Sequence, residues 1–137
     1  MEIGPLTTRA VLTVEGDDSL REAAVSMMER GVGSAVVMTD GKPTGIITDR
    51  DALRAIAQDK TGDGSNVKEF VSGRMMKALP TMEVIEAAQM MRERGFRHLI
   101  VVDETDALVG VFSMRDLVVG LLEERRQLAK TVSQEAG

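Results

Sequence analysis

Residues 17–38 and 81–102 are two copies of one segment, separated by a constant offset of 64. Eight of the 22 aligned pairs are identical, including Glu22/Glu86, Ala23/Ala87, Ala24/Ala88, Met27/Met91 and Gly31/Gly95. With one residue added to the offset the match continues, and Gly45-Ile46-Ile47-Thr48-Asp49-Arg50-Asp51 faces Gly110-Val111-Phe112-Ser113-Met114-Arg115-Asp116. Amphipathic patterning alone does not repeat identities at fixed spacing, so the chain is a duplicated unit. Whatever one half folds into, the other half folds into as well. At 137 residues each half is small, roughly 55 residues, and marginal by itself.

The period of the apolar residues sets the order of elements. Val11–Val14 reads as a short strand, and Ser19 with Glu22 as a capping box opening a helix that runs to about residue 30. Ser34–Met38 and Thr44–Thr48 read as a hairpin around the turn at 39–43, and Asp49 to about Gln58 as a second helix. The second copy repeats this, with a strand near Met75–Ala78, a helix over Met82–Arg94, strands at His98–Val102 and Leu108–Phe112, and a helix from Met114. The polar, glycine-containing segment 58–66 reads as the linker. The expected boundaries are 1–61 and 62–126, with 127–137 as a flexible tail. The expected fold class is α/β of the α+β type, in tandem β-α-β-β-α repeats. The methionines, among them Met27, Met28, Met75, Met76, Met90 and Met91, read as packing residues.

Composition excludes several functions. There is no cysteine, which removes disulfides, zinc ribbons and thiol catalysis, and a single histidine, which removes sites needing two. No metal site is expected. The net charge of −5, and the absence of Tyr and Trp, disfavour nucleic acid as a partner. No apolar run reaches the roughly 18 to 20 residues that span a bilayer. The start, Met1–Pro5, lacks the regions of a secretory signal, so a soluble cytoplasmic protein is expected. No Walker loop, nucleophile elbow or Cys–His pair is present, and no enzymatic activity is expected.

The repeated motif is a strand ending in Thr/Ser-x-Arg-Asp that opens a helix. The N-terminus of a helix presents unsatisfied N–H groups and the positive end of its dipole, which suits a phosphate. A carboxylate one turn in can accept from a sugar diol. The same residues, Thr48 with Asp51 and Ser113 with Asp116, also form capping boxes that need only start a helix, and the motif by itself leaves both readings open.

With the duplication and the order of elements beside it, the chain resembles a CBS-domain pair, the Bateman module, from about Pro5 to Glu124. The resemblance implies two β-α-β-β-α units packed about a pseudo-two-fold axis, with adenosine-type ligands (AMP, ADP, ATP or S-adenosylmethionine) in up to two clefts between the repeats. No catalytic cofactor is implied. One cleft would use Ser113, Arg115 and Asp116, with Arg97 and His98 toward the phosphates and Thr7, Leu12, Val32, Gly33 and Ser34 around the base. The other would use Thr48, Arg50 and Asp51 with Gly33 and Ser34, and Val71, Met76 and Phe96 opposite. Gly33 and Ser34 stand where the second repeat has Arg97 and His98, so the second cleft is expected to be the weaker for phosphate. The resemblance also implies a homodimer through helices, with Ala52, Leu53, Ile56, Leu117, Val118 and Leu121 as contact residues, and a regulated protein as partner. The competing reading is a dimerisation or interaction module with degenerate ligand sites.

Overall fold

The computed structural model describes residues 1–60, 64–71 and 75–136. It divides into two compact units, each an α+β arrangement with one three-stranded mixed sheet. The unit of the first repeat comprises Ala10–Met75 with Asp106–Leu108. Its elements are β1 (Thr13–Glu15), α1 (Leu20–Arg30), β2 (Ser34–Thr39), β3 (Lys42–Thr48) and α2 (Asp49–Ala57). β1 runs parallel to β2, which pairs antiparallel with β3 so that Val36 lies between Thr13 and Ile46. The β2–β3 hairpin closes through Asp40 and Gly41, both at positive φ (52° and 77°). That is the signature of the tight turn whose twist matches its strands.

The unit of the second repeat comprises Met1–Arg9, Met76–Thr105 and Val109–Gly137. Its elements are β4 (Lys77–Ala78), α3 (Val84–Arg94), β5 (His98–Val102), β6 (Leu108–Ser113) and α4 (Met114–Ala136). Sheet order is β4-β5-β6, with β4 parallel to β5. α1 and α3 bury equivalent side chains, Leu20, Ala23 and Met27 in one and Val84, Ala87 and Met91 in the other. Both stop at a left-handed glycine, Gly31 (φ 63°) and Gly95 (φ 71°), where a side chain would be strained. Ser19 Oγ accepts the Glu22 N–H at 3.0 Å, whereas Glu83 at the start of α3 makes no side-chain cap.

The packing units do not follow the linear boundaries 1–61 and 62–126. The nine residues that lead into the first repeat pack in the unit of the second, and the segment leading into the second packs in the unit of the first. Ile3 and Val67, exactly 64 apart, are each 0% exposed and complete the core of the unit they join. The backbone contacts repeat with them. Ile3 N–H donates to Met82 O at 2.9 Å as Val67 N–H donates to Asp18 O at 2.9 Å. Val84 N–H donates to Met1 O at 2.8 Å as Leu20 N–H donates to Ser65 O at 3.0 Å. The motif glycines make room for these segments. A Cβ on Gly110 would overlap the Thr8 carbonyl oxygen and lie 2.9 Å from Thr7 Cγ2, and one on Gly45 would overlap Val71 Cγ1.

Several sequence expectations need correction. α4 continues as helix to Ala136 where a flexible tail was expected at 127–137, because Glu123–Ala136 contains no Gly or Pro and consists largely of strong helix formers; Gly137 lies outside the described residues. The residues 61–63 of the expected linker also lie outside them. Met28, read as a packing residue, is 84% exposed because it falls one position beyond the buried Met27. Leu117, expected on a dimer face, is 6% exposed and belongs to the core with Phe112 and Ile3. β1 begins at Thr13, β4 at Lys77 and α3 at Val84, each two residues later than the pattern suggests.

The glycine contacts set an order of mutational cost. At Gly110 the obstacle is backbone, at Gly45 the end of a side chain. Overpacking of this kind costs roughly 1–3 kcal/mol. Gly110→Ala should sit at about 3 kcal/mol and Gly45→Ala at about 1 kcal/mol. Urea denaturation followed by far-UV circular dichroism measures both. Equal costs would show that the Thr7–Thr8 backbone is not held against β6.

Candidate functional site

Each motif ends a strand and starts a helix, and in each the aspartate is drawn back onto the strand end. In the second repeat Asp116 Oδ2 accepts from the Ser113 N–H at 2.8 Å and from its hydroxyl at 2.9 Å. Ser113 Oγ in turn faces the Asp116 N–H at 3.3 Å. In the first repeat Asp51 Oδ2 accepts from the Thr48 N–H at 2.8 Å and its hydroxyl at 3.0 Å, and Thr48 Oγ1 accepts the Asp51 N–H at 3.3 Å. Both are capping boxes with aspartate as the partner. The shorter side chain still reaches, and it leaves the other oxygen, Oδ1, on the outer side. The capping reading is therefore correct for Oδ2 in both repeats, and any ligand reading rests on Oδ1.

The unit of the second repeat gathers Thr7, Met76, Phe96, Arg97, His98, Ser113, Arg115 and Asp116. The N–H of Met114, the first residue of α4, donates to the Arg97 carbonyl at 2.9 Å, which pins the start of β5 beside the start of the helix. Arg97 and Arg115 are exposed, and Ser113, Asp116 and His98 are half-buried. Thr7 is only 7% exposed and its hydroxyl donates to the Ile3 carbonyl at 2.9 Å. Its hydroxyl proton thus serves the leading segment. The next residue, Thr8, was not read as a site residue. Its hydroxyl lies 3.4 Å from both oxygens of Asp116, a long hydrogen bond shared between them. Nothing in the local sequence signals this contact, which exists because Thr8 and Val111 exchange backbone hydrogen bonds at 2.9 and 3.0 Å.

Burial pushes the His98 imidazole below its ordinary value of 6.5, and the neighbouring Arg97 guanidinium pushes it the same way, with Asp116 opposing. At neutral pH His98 is thus an uncharged ring, and the positive charge at the start of β5 is that of Arg97.

The unit of the first repeat holds Leu12, Val32, Gly33, Ser34, Thr48, Arg50, Asp51 and Val71. Leu12 and Val71 pack against its core, Val32, Gly33 and Arg50 are exposed, and Asp51 is 8% exposed. Asp51 Oδ1 is engaged by Arg54 Nη1 at 3.3 Å, a partner that the sequence reading did not assign. Asp51, Arg54, Phe70 and Val71 line part of a concavity of about 640 Å³. Among the described residues no group of acidic or histidine side chains could hold a metal ion, and no helix is long and apolar enough to cross a membrane.

A depressed histidine pKa carries a definite sign for stability. The unfolded chain takes up a proton near pH 6.5 while the folded chain resists it, so the contribution is full above 6.5 and is lost as pH falls through the folded value. Wild type should lose stability relative to His98→Gln as the pH falls through about 6.5 and below. Since His98 is the only histidine, the difference in urea midpoints reports it alone. A gap that stays constant with pH would mean that His98 is solvated.

The CBS domain family model matches residues 3–58 and again 67–123. A CBS domain-containing protein of Bacillus subtilis is 36% identical over 113 residues, covering 82% of this chain and 79% of that protein. An uncharacterized protein of Methanopyrus kandleri is 31% identical over 137 residues, covering 98% and 68%. Among solved structures, the CBS domain protein from Pyrobaculum aerophilum complexed with AMP is 30% identical with a TM-score of 0.78, covering 90% of this chain and 97% of that one. With both repeats matched and the fold shared, the chain belongs to the CBS domain family and carries the domain twice.

Proposed function

We propose that the protein is a ligand-sensing regulatory module that binds an adenosine nucleotide, AMP, ADP or ATP, at the motif of the second repeat and passes its occupancy to a dimer or partner interface. The observation that carries this reading is the state of Asp116. Its Oδ2 accepts both cap bonds, while Oδ1 meets, among the described residues, the long contact of the Thr8 hydroxyl that the two oxygens share. A ribose diol offers two O–H donors, and a carboxylate accepts them in charge-assisted hydrogen bonds. Thr8 can rotate to donate to or accept from the same diol. The phosphate is served by the start of α4 together with Arg97, whose guanidinium is the planar donor that phosphate favours. S-adenosylmethionine carries no phosphate and would leave that half of the arrangement unused. The AMP held by the Pyrobaculum relative supports the same ligand class. In this reading nothing is turned over.

The interaction-module reading has its own support in exposed apolar residues on two helices: Leu53 and Ile56 on α2, and Val118, Leu121 and Leu122 on α4. These surfaces are where occupancy would be read out. Under this proposal Val118→Glu with Leu122→Glu should reduce a dimer to a monomer in sedimentation velocity without changing far-UV circular dichroism. A wild type that sediments as a monomer would remove the homodimer from the reading.

Calorimetric titration with AMP, ADP and ATP tests the ligand. Loss of a charge-assisted hydrogen bond amounts to about 1.5–3 kcal/mol, or roughly 10- to 100-fold in affinity. Asp116→Ala should weaken AMP by that much. Asp51→Ala loses the same kind of helix cap in the other unit and should change AMP affinity by less than about 3-fold. The reverse order would overturn the assignment to the second repeat. No heat with any of the three ligands on folded protein would favour the interaction module.

A further inference from the structure

We propose that the motif of the first repeat is occupied by the chain's own side chains, Asp49 where a nucleotide phosphate would bind and Arg54 on the carboxylate that would hold the ribose, so that each chain takes one adenosine nucleotide. This inference rests on the function proposed above. Its basis is a comparison of two motifs that share one pattern of capping hydrogen bonds.

At the 65-residue offset, Asp49 stands where the second repeat has Met114. Its Oδ1 accepts the Arg50 N–H at 2.8 Å, one of the free donors at the start of α2. Its Oδ2 lies over the start of β2, 3.2 Å from where a Cβ on Gly33 would be. An arriving phosphate would therefore meet a carboxylate at the helix start, where an internal anion already answers the dipole. In the second repeat the corresponding residues are Met114, 41% exposed, and Arg97.

Arg54 stands where the second repeat has Val119, 51% exposed. With Oδ2 of Asp51 holding two donors from Thr48 and Oδ1 holding the guanidinium at 3.3 Å, both oxygens are engaged. A ribose hydroxyl would compete for that oxygen with a charged donor, whose bond is the stronger. A concavity of about 640 Å³, within the range of ligand sites, lies beside Asp51 and Arg54. Arg54 itself is 55% exposed, so its pair with Asp51 contributes little to folding and can be removed.

The test counts nucleotides. Calorimetric titration with AMP should find one equivalent per wild-type chain, weakened roughly 10- to 100-fold in Asp116→Ala. The double variant Asp49→Met/Arg54→Val, which places the second repeat's residues at these two positions, should bind a second equivalent. Adding Asp51→Ala should remove that second equivalent and leave the first. If the double variant does not give the wild-type circular dichroism spectrum, Asp49→Asn/Arg54→Gln keeps the shapes, removes both charges, and should give the same gain. Two equivalents on wild type would overturn the proposal, as would a folded double variant that still binds one. If neither protein binds AMP, ADP or ATP, the nucleotide function itself has failed, and the inference falls with it.

Discussion

The close approach of backbone to backbone at Gly110 is the constraint on which the site depends. Thr8 and Val111 can exchange hydrogen bonds only if residue 110 has no side chain, because any Cβ would overlap the Thr8 carbonyl oxygen. That approach fixes the course of Met1–Arg9, and the course of that segment brings Ile3 into the core and the Thr8 hydroxyl to Asp116. A glycine whose role along the sequence looks like strand punctuation is thus the reason two segments 108 residues apart share one carboxylate. Gly45 repeats the device with the Val71 side chain in place of backbone.

The capping boxes explain why aspartate stands at both motifs. Glutamate reaches back from the third position of a helix more often, but its extra methylene lets the carboxylate swing. Aspartate is tethered close, so one oxygen satisfies the strand end and the other is presented at a fixed place. Satisfying a helix start and presenting an acceptor are therefore one arrangement. What separates the repeats is the partner of the presented oxygen: a hydroxyl from a leading segment in one, a guanidinium from the same helix in the other.

Much of this was legible in the sequence because duplication doubles the signal. Each weak local pattern was read twice, so α1 and α3, the hairpin strands and the starts of α2 and α4 fell near their true positions. Asp51 and Asp116 were singled out for the same reason. The residues that sequence reading missed all depend on what a helix or strand meets in space. The sequence points to Thr7, whose hydroxyl turns back to Ile3, and not to Thr8. Leu117 and Val118 are both apolar, and only the packing of α4 shows that the first is core. Arg54 reads as an ordinary exposed helix residue until its 3.3 Å contact to Asp51 is seen. The exchange of leading segments was hidden because a linear boundary assumes that neighbours in sequence share a core, whereas Ile3 and Val67 each fill the other one.

Regulation requires that a ligand bind one state better than another, and the contacts at the second motif differ in how well they can supply that difference. The bonds from Ser113 to Asp116 form the helix cap and orient the acceptor. Arg97 and Arg115 are exposed and act mainly through charge. Thr8 is different in kind. Its hydroxyl bond is long, it sits on a segment joined to β6 by one reciprocal pair of backbone bonds, and that segment carries the fully buried Ile3. Tightening of the Thr8–Asp116 contact around a ribose would act on the segment that completes the core. Under the proposed function, the leading segment is therefore the part of the site through which occupancy would be converted into a change of packing.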